Sequence, residues 1–163
     1  MIFRPWSLIF LFAGSVVQAQ TSFFGVVLQV ADGDTLWVQS DGRGRTHKLR
    51  IEGIDAPEIC QPGGEAARNR LAQQVMNKHV EVTVKRRDIY GRRLAVLRLG
   101  GNDVGAQMVL SGHAWSYRWH RSVGPYAAEE AVARQSRLGL FSDGEPEEPR
   151  AFRRQHGSCH TGD

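Results

Sequence analysis

The stretch Arg50-Ile-Glu-Gly-Ile-Asp-Ala-Pro-Glu58, RIEGIDAPE, marks the point where a strand pattern ends. Ile51 and Ile54 occupy the apolar positions of a strand edge, but three acidic residues and an arginine stand among them. Pro57 fixes its own φ angle and biases the preceding residue toward an extended backbone. The chain therefore leaves a strand stiffly and carries carboxylates close to a guanidinium. Such a group is either a solvated turn or a functional site, and the flanking sequence decides between them.

On the N-terminal side of this stretch, the sequence predicts three antiparallel strands. Runs rich in β-forming residues extend from Phe23 to Val30, from Thr35 to Val38 and from Thr46 to Gly53. The segments from Ala31 to Asp34 and from Asp41 to Arg45 are rich in aspartate and glycine, which favour turns. The three runs are therefore expected to form a meander.

On the C-terminal side, the period changes to that of a helix and then returns to that of a strand. Apolar residues recur at helical spacing after Gly64, valines alternate with polar residues from 80 to 84, and Leu94 to Leu99 forms a fifth run. Asp103 is suited to cap a short helix, and Pro125 to begin a last one. The expected apolar face of that last helix consists of Ala127, Ala131 and Leu138. Five strands with a helix after the third predict an α+β protein with a five-stranded OB-fold β-barrel and about three α-helices.

The chain divides into three expected parts. Residues 1–19 have the features of a secretory signal peptide, because a positive Arg4 precedes an apolar run and small residues stand before a cut after Ala19. An uncleaved membrane anchor is the alternative, but the run is short for a span of about 20 residues. Residues 20–141 are expected to form one folded domain, and residues 142–163 an irregular tail. The mature protein is then periplasmic or secreted, without a membrane segment.

Charge and cysteine content add two weaker indications. A formal charge of +4 and an isoelectric point near 9.5 suit a polyanionic partner, although many exported proteins are basic without binding nucleic acid. An exported chain meets an oxidising compartment, so Cys60 and Cys159 are candidates for a disulfide that ties the tail to the loop behind the acidic stretch. Two unrelated thiols are the alternative.

Three turns carry polar residues that a small barrel would bring to one side. The expected site contains Asp34, Asp55, Glu58, Arg50 and Arg92. Grouped carboxylates need a cation or arginines to compensate them, and carboxylate and carbonyl oxygens are the ligands of calcium or magnesium. A pair of arginines matches a phosphate, because each planar guanidinium can grip two oxygens. This combination predicts a metal-dependent phosphodiesterase.

Each of these residues also has a simpler explanation. Asp32 and Asp34 are common turn formers, and Arg92 would serve as a solvated charge at a strand edge. Arg50 would pair with Glu52. The joint occurrence of the acids with both arginines favours the site over these separate explanations.

An aromatic run, Trp115, Tyr117 and Trp119, precedes the last expected helix. Such residues stack on bases in some OB-fold proteins. Packing is the commoner use of aromatic residues before a helix, and it is expected for at least two of the three.

The motifs DGDT, LRIEGIDAPE and DIYGRRLA, in this order, resemble the staphylococcal nuclease-like (thermonuclease) family. The resemblance extends from about Val26 to Phe141 and includes GHAWSY and the closing RLGLF. It implies a calcium-dependent nuclease that acts on DNA and RNA.

The resemblance also implies a role for each site residue. Asp34 and Asp55 match side-chain ligands of the metal, and Ala56 would contribute its backbone carbonyl. The best-known members have a threonine at the Ala56 position, so the hydroxyl of that residue is lost here. The remaining assignments are Arg50 and Arg92 as phosphate ligands, Glu58 as general base, and Asp32, Thr35 and Tyr90 as supporting residues.

The leading hypothesis is therefore an exported, monomeric, calcium-dependent endonuclease. One alternative is a catalytically weak OB-fold module that only binds nucleic acid. Loss of catalysis would most simply appear as loss of Arg50, Glu58 or Arg92, and all three are present. A second alternative is a structural domain in which calcium serves stability alone.

Overall fold

The computed structural model describes residues 21–42, 44–88 and 91–159. The expected signal peptide, with its cleavage point after Ala19, lies outside the described residues, and so does Tyr90. Within the described residues, no helix is long and apolar enough to cross a membrane.

The described chain forms eight strands, four α-helices and one short 3-10 helix. The strands are β1 (Thr21–Val30), β2 (Thr35–Ser40), β3 (Thr46–Ile51), β4 (Ile54–Asp55), β5 (His79–Arg87), β6 (Arg93–Leu99), β7 (Asn102–Asp103) and β8 (Trp115–Ser116). The α-helices are α1 (Gly64–Val75), α2 (Val104–Leu110), α3 (Ala127–Gln135) and α4 (Pro149–His156), and the 3-10 helix covers Gly139–Phe141.

Five of the strands close into a barrel. Their order is β3-β2-β1-β5-β6, and β3 and β6 pair in parallel to complete the circuit. Leu49, Arg50 and Ile51 of β3 align there with Arg93, Leu94 and Ala95 of β6. The predicted α+β class and five-stranded OB-fold barrel, with its helix α1 after the meander, are confirmed.

Strand alternation fills the barrel interior. Val80 and Val82 on β5 and Leu36 and Val38 on β2 are buried because every second side chain of each strand points inward. Helix α1 adds a buried stripe that includes Leu71. This core fixes the strand ends from which the polar turns project.

Two sequence-based expectations about the helices are wrong. The tail after residue 141 is not irregular, because α4 (Pro149–His156) lies within it. The expected apolar face of the last helix also fails: Ala131 and Leu138 are exposed, whereas Glu130 and Ala133 are buried on α3. A buried glutamate is tolerated there because two arginines pair with it.

Candidate active site

The polar turns converge on one cleft of about 650 Å³ at the side of the barrel. The parallel register of β3 and β6 aligns Arg50 with Leu94, two residues after Arg92. Among the expected site residues, the cleft is lined by Asp32, Asp34, Arg50, Ala56, Glu58 and Arg92. The structure thus brings together residues that are up to 60 positions apart in sequence.

Arg50 lies at the centre of the acidic group. Its Nη2 atom is 2.7 Å from Asp34 Oδ2 and 2.7 Å from Asp55 Oδ1. The alternative pairing with Glu52 does not occur, because Glu52 pairs with Arg86 instead. Two buried carboxylates therefore converge on one guanidinium nitrogen.

The Asp34 carboxylate is held from its own loop and from the next one. Thr35 Oγ1 donates to Asp34 Oδ1 at 2.9 Å, and the amide of Ala56 donates to Asp34 Oδ2 at 3.4 Å. Asp32 in turn accepts the amide of Asp34 at 2.9 Å, which closes the turn. Asp32 thus contacts the backbone of Asp34, and Thr35 contacts its carboxylate.

Burial and mutual repulsion perturb the acids. Burial, reinforced by the charge of Asp34, raises the pKa of Asp32 to about 7. Burial also raises the pKa of Asp55, against the opposing effect of its arginine partners. The charge of Asp34 in turn raises the pKa of Arg50 above its ordinary value. A cluster of buried ionisable groups whose pKa values are perturbed in this way is typical of a functional site.

Arg92 is held by the turn that precedes it. Asp88 accepts the backbone amide of Arg92 at 2.9 Å and its Nε at 2.7 Å. The turn passes through Gly91 at φ 75°, where a side chain would be strained. Asp88 therefore holds its turn and presents Arg92 to the cleft.

The structure adds one residue that sequence reasoning missed. Arg153 on α4 places Nη1 2.8 Å from Glu58 Oε1 and Nη2 3.0 Å from Asp55 Oδ2. Nothing in the basic run around Arg153 separates it from an ordinary solvated helix face. The expected disulfide was the only indication that the tail returns to the site, and it does not select Arg153.

The disulfide between Cys60 and Cys159 is confirmed, with Cα atoms 5.8 Å apart. The same loop contacts the tail a second time, because Gln61 Nε2 donates to the carbonyl of Glu147 at 2.6 Å. The two cysteines therefore join the tail to the loop behind Glu58.

A small second sheet carries Asp55. Strand β4 pairs with β8, so that Asp55 aligns with Trp115 and Ile54 with Ser116. The buried Glu130 of α3 accepts the amide of Ser116 at 2.9 Å and fixes β8 in turn. The aromatic run divides as a result: Trp115 packs in a T-shaped contact on Phe141, while Tyr117 and the exposed Trp119 line the cleft. Packing thus accounts for Trp115.

The oxygen donors of the site are of the kind that a hard cation binds. Asp34 and Asp55 converge on Arg50, Asp55 also pairs with Arg153, and both acids offer only oxygen ligands. No group of three or more histidine, cysteine or acidic side chains suited to a metal occurs in the described ranges. A cation held by Asp34 and Asp55 would therefore need further oxygen donors, for which the Ala56 carbonyl and water are the candidates.

Comparison with known proteins gives consistent matches. The family model described as staphylococcal nuclease homologue matches residues 48–143. A micrococcal nuclease from Shigella flexneri is 39% identical over 151 residues, which cover 85% of this chain and 84% of the relative. Protein ParB from Escherichia coli is 39% identical over 142 residues, or 80% of this chain and 79% of the relative. An uncharacterized endonuclease from Haemophilus influenzae is 34% identical over 129 residues, or 79% and 72%.

Proposed function

Because this chain belongs to the family of staphylococcal nuclease homologues, we propose that it is a calcium-dependent endonuclease that hydrolyses phosphodiester bonds of DNA and RNA. That the protein is a nuclease acting on nucleic acid follows from its family. The calcium requirement, the residue roles and the range of substrates are the proposed part. The observation that carries them is the convergence of Asp34 and Asp55 on Arg50, which lines one cleft together with Asp34, Glu58 and Arg92.

Each residue of the site has a separate role in the proposed reaction. Glu58 accepts a proton from the attacking water, as a general base. Arg50 and Arg92 hold the phosphate oxygens and stabilise the charge that develops on them. Asp32 and Thr35 keep the carboxylate of Asp34 in position. Calcium held by Asp34, Asp55 and the Ala56 carbonyl would polarise a phosphoryl oxygen.

Cleavage of supercoiled plasmid tests this proposal. We expect nicked and linear products with calcium, and none when the ion is chelated. Asp34→Ala should lose activity at low calcium and recover part of it at high calcium, because it removes a metal ligand rather than the base. Asp41→Ala, at an exposed turn on the barrel, is the matched control. Full cleavage in excess chelator would contradict the calcium requirement.

The same assay separates the alternatives. A module that only binds nucleic acid would retard plasmid in a gel without cutting it at any calcium concentration. A domain in which calcium serves stability alone would neither retard nor cut it. Oligoribonucleotide in place of plasmid then tests whether RNA is also a substrate.

Export of the protein is part of the proposal. The Cys60–Cys159 disulfide supports an oxidising compartment, since such bonds persist there and are rare in the cytosol. Together with the expected cleavage after Ala19, it favours a periplasmic or secreted protein. We propose separately that the protein acts as a monomer. Mass spectrometry of protein recovered from the periplasm or medium would locate the mature N-terminus.

A further inference from the structure

The C-terminal helix α4 reaches the acids proposed to serve calcium and catalysis. Arg153 Nη1 donates to Glu58 Oε1 at 2.8 Å and to Asp55 Oδ1 at 3.3 Å, and its Nη2 donates to Asp55 Oδ2 at 3.0 Å. Arg50 also contacts Asp55 Oδ1, so both oxygens of that carboxylate already have a cationic partner. Arg153 lies ten residues beyond the last residue that the family model matches, residue 143.

The tail that carries Arg153 is fastened on both sides of it. Before the helix, Gln61 binds the carbonyl of Glu147, and Arg118 Nη1 lies 2.8 Å from Glu148 Oε1. After the helix, the disulfide joins Cys159 to the loop behind Glu58. Contacts on both sides of α4 therefore hold Arg153 next to Asp55 and Glu58.

The Arg153 guanidinium remains protonated in this position. Burial disfavours the guanidinium, but the hydrogen bonds and charge of Asp55 and Glu58 outweigh it and raise the pKa of Arg153 above its ordinary value. A permanent positive charge thus sits on the oxygens that a divalent cation would use. Two cations cannot share these oxygens without strong repulsion.

We propose that Arg153 is a positioning residue that acts as an internal counter-cation. Its guanidinium pairs with Asp55 and holds Glu58 in place. Arg153 thereby competes with calcium for Asp55, and the Cys60–Cys159 disulfide keeps the arginine in that position. The inference rests on the metal site of the proposed function. It predicts that the tail lowers the calcium affinity of the site, because Arg153 must leave Asp55 as the ion binds.

Calcium titration by calorimetry tests the competition without recourse to activity. Arg153→Gln should bind calcium about tenfold more tightly than the wild type, since a nearby positive charge is removed. Arg153→Lys keeps the charge and should fall between them. Arg154→Gln, an exposed arginine on the same helix, is the matched control and should leave the affinity unchanged. An unchanged or weaker affinity in Arg153→Gln would overturn the proposal.

A double-mutant cycle tests the part played by the disulfide. Replacing both cysteines by serine should tighten calcium binding when Arg153 is present and have little effect in Arg153→Gln, because the bond acts through that side chain. Effects that simply add would show that the tether acts by another route.

The titrations also separate two kinds of failure. Calcium binding that Asp34→Ala abolishes but Arg153→Gln leaves unchanged would refute the competition and keep the metal site. If neither the wild type nor any variant binds calcium, both the metal site and the competition for it are refuted.

Discussion

At the scale of single residues, we expect the geometry of the Arg92 guanidinium to matter more for catalysis than its charge. Arg92 Nε donates a hydrogen bond to Asp88, and this contact orients the plane of the Arg92 guanidinium toward the cleft. Arg92→Lys keeps the charge but loses this planar fork, so we expect turnover to fall by roughly 10²–10³ with little loss of affinity. Rates and binding measured at saturating calcium check this, with Arg98→Lys, exposed on β6, as control. A loss of affinity with unchanged turnover would assign Arg92 to substrate binding alone.

Gly33 is a residue-scale constraint on the metal loop. A Cβ at this position would lie 2.6 Å from the Cβ of Ala56 and 2.7 Å from that of Ala67, so the loop and α1 would have to separate. Gly33→Ala should cost about 1–3 kcal/mol of stability and weaken calcium binding. Denaturant unfolding and calcium titration measure the two effects. Ala56→Gly in the same chain removes one of the contacts and should restore part of the stability; no recovery would place the strain elsewhere.

At the scale of elements, the buried Glu130 joins α3 to the strand pair that carries Asp55. It accepts from Ser116, Arg118 and Arg134 at 2.7–2.9 Å. Glu130→Gln keeps the shape but removes the charge, so we expect a loss of about 1.5–3 kcal/mol in the free energy of unfolding. Glu129→Gln, its neighbour on the helix, is the control. Equal unfolding midpoints for the two variants would contradict a structural role for the Glu130 network.

The elements that could be predicted from the sequence are those whose pattern is local. Alternating valines from 80 to 84 indicate β5, and Asp103 caps α2 through the amide of Ala106, as its position suggests. Helix α4 gives little such pattern, because only Pro149 and Phe152 of its residues are buried. The burial of Glu130 follows from partners on other elements, which a hydrophobic period cannot reveal.

The candidate site shows the same limit. The motifs around Asp34, Asp55 and Arg92 predicted that these turns meet on one side of the barrel, because Asp34 directly precedes β2, Arg92 directly precedes β6, and Asp55 follows β3 closely on the short strand β4. Arg153 meets Asp55 across a separation of 98 residues, through a tail whose course depends on a disulfide and two polar contacts. No local pattern in the sequence indicates that contact.

At the scale of the whole molecule, calcium should act on stability as well as on chemistry. A ligand of the native state at one hundred times its dissociation constant stabilises by about 2.7 kcal/mol, which corresponds to a rise of several degrees in the melting temperature. We expect magnesium to give a smaller rise, because it demands stricter octahedral geometry. Thermal melts of the wild type and Asp34→Ala check this. An equal calcium-dependent rise in both proteins would place the ion outside the proposed site.

The most direct test of the catalytic site is the single-turnover rate of plasmid cleavage by Glu58→Gln at saturating calcium and DNA. The variant keeps the size of the side chain and removes the general base, so the rate should fall by roughly 10²–10⁴ while DNA binding is retained. Glu65→Gln, at an exposed position in the first turn of α1, should cleave at the wild-type rate. A Glu58→Gln protein that cleaves at nearly the wild-type rate would contradict the assignment of Glu58 as the base and, with it, the proposed site.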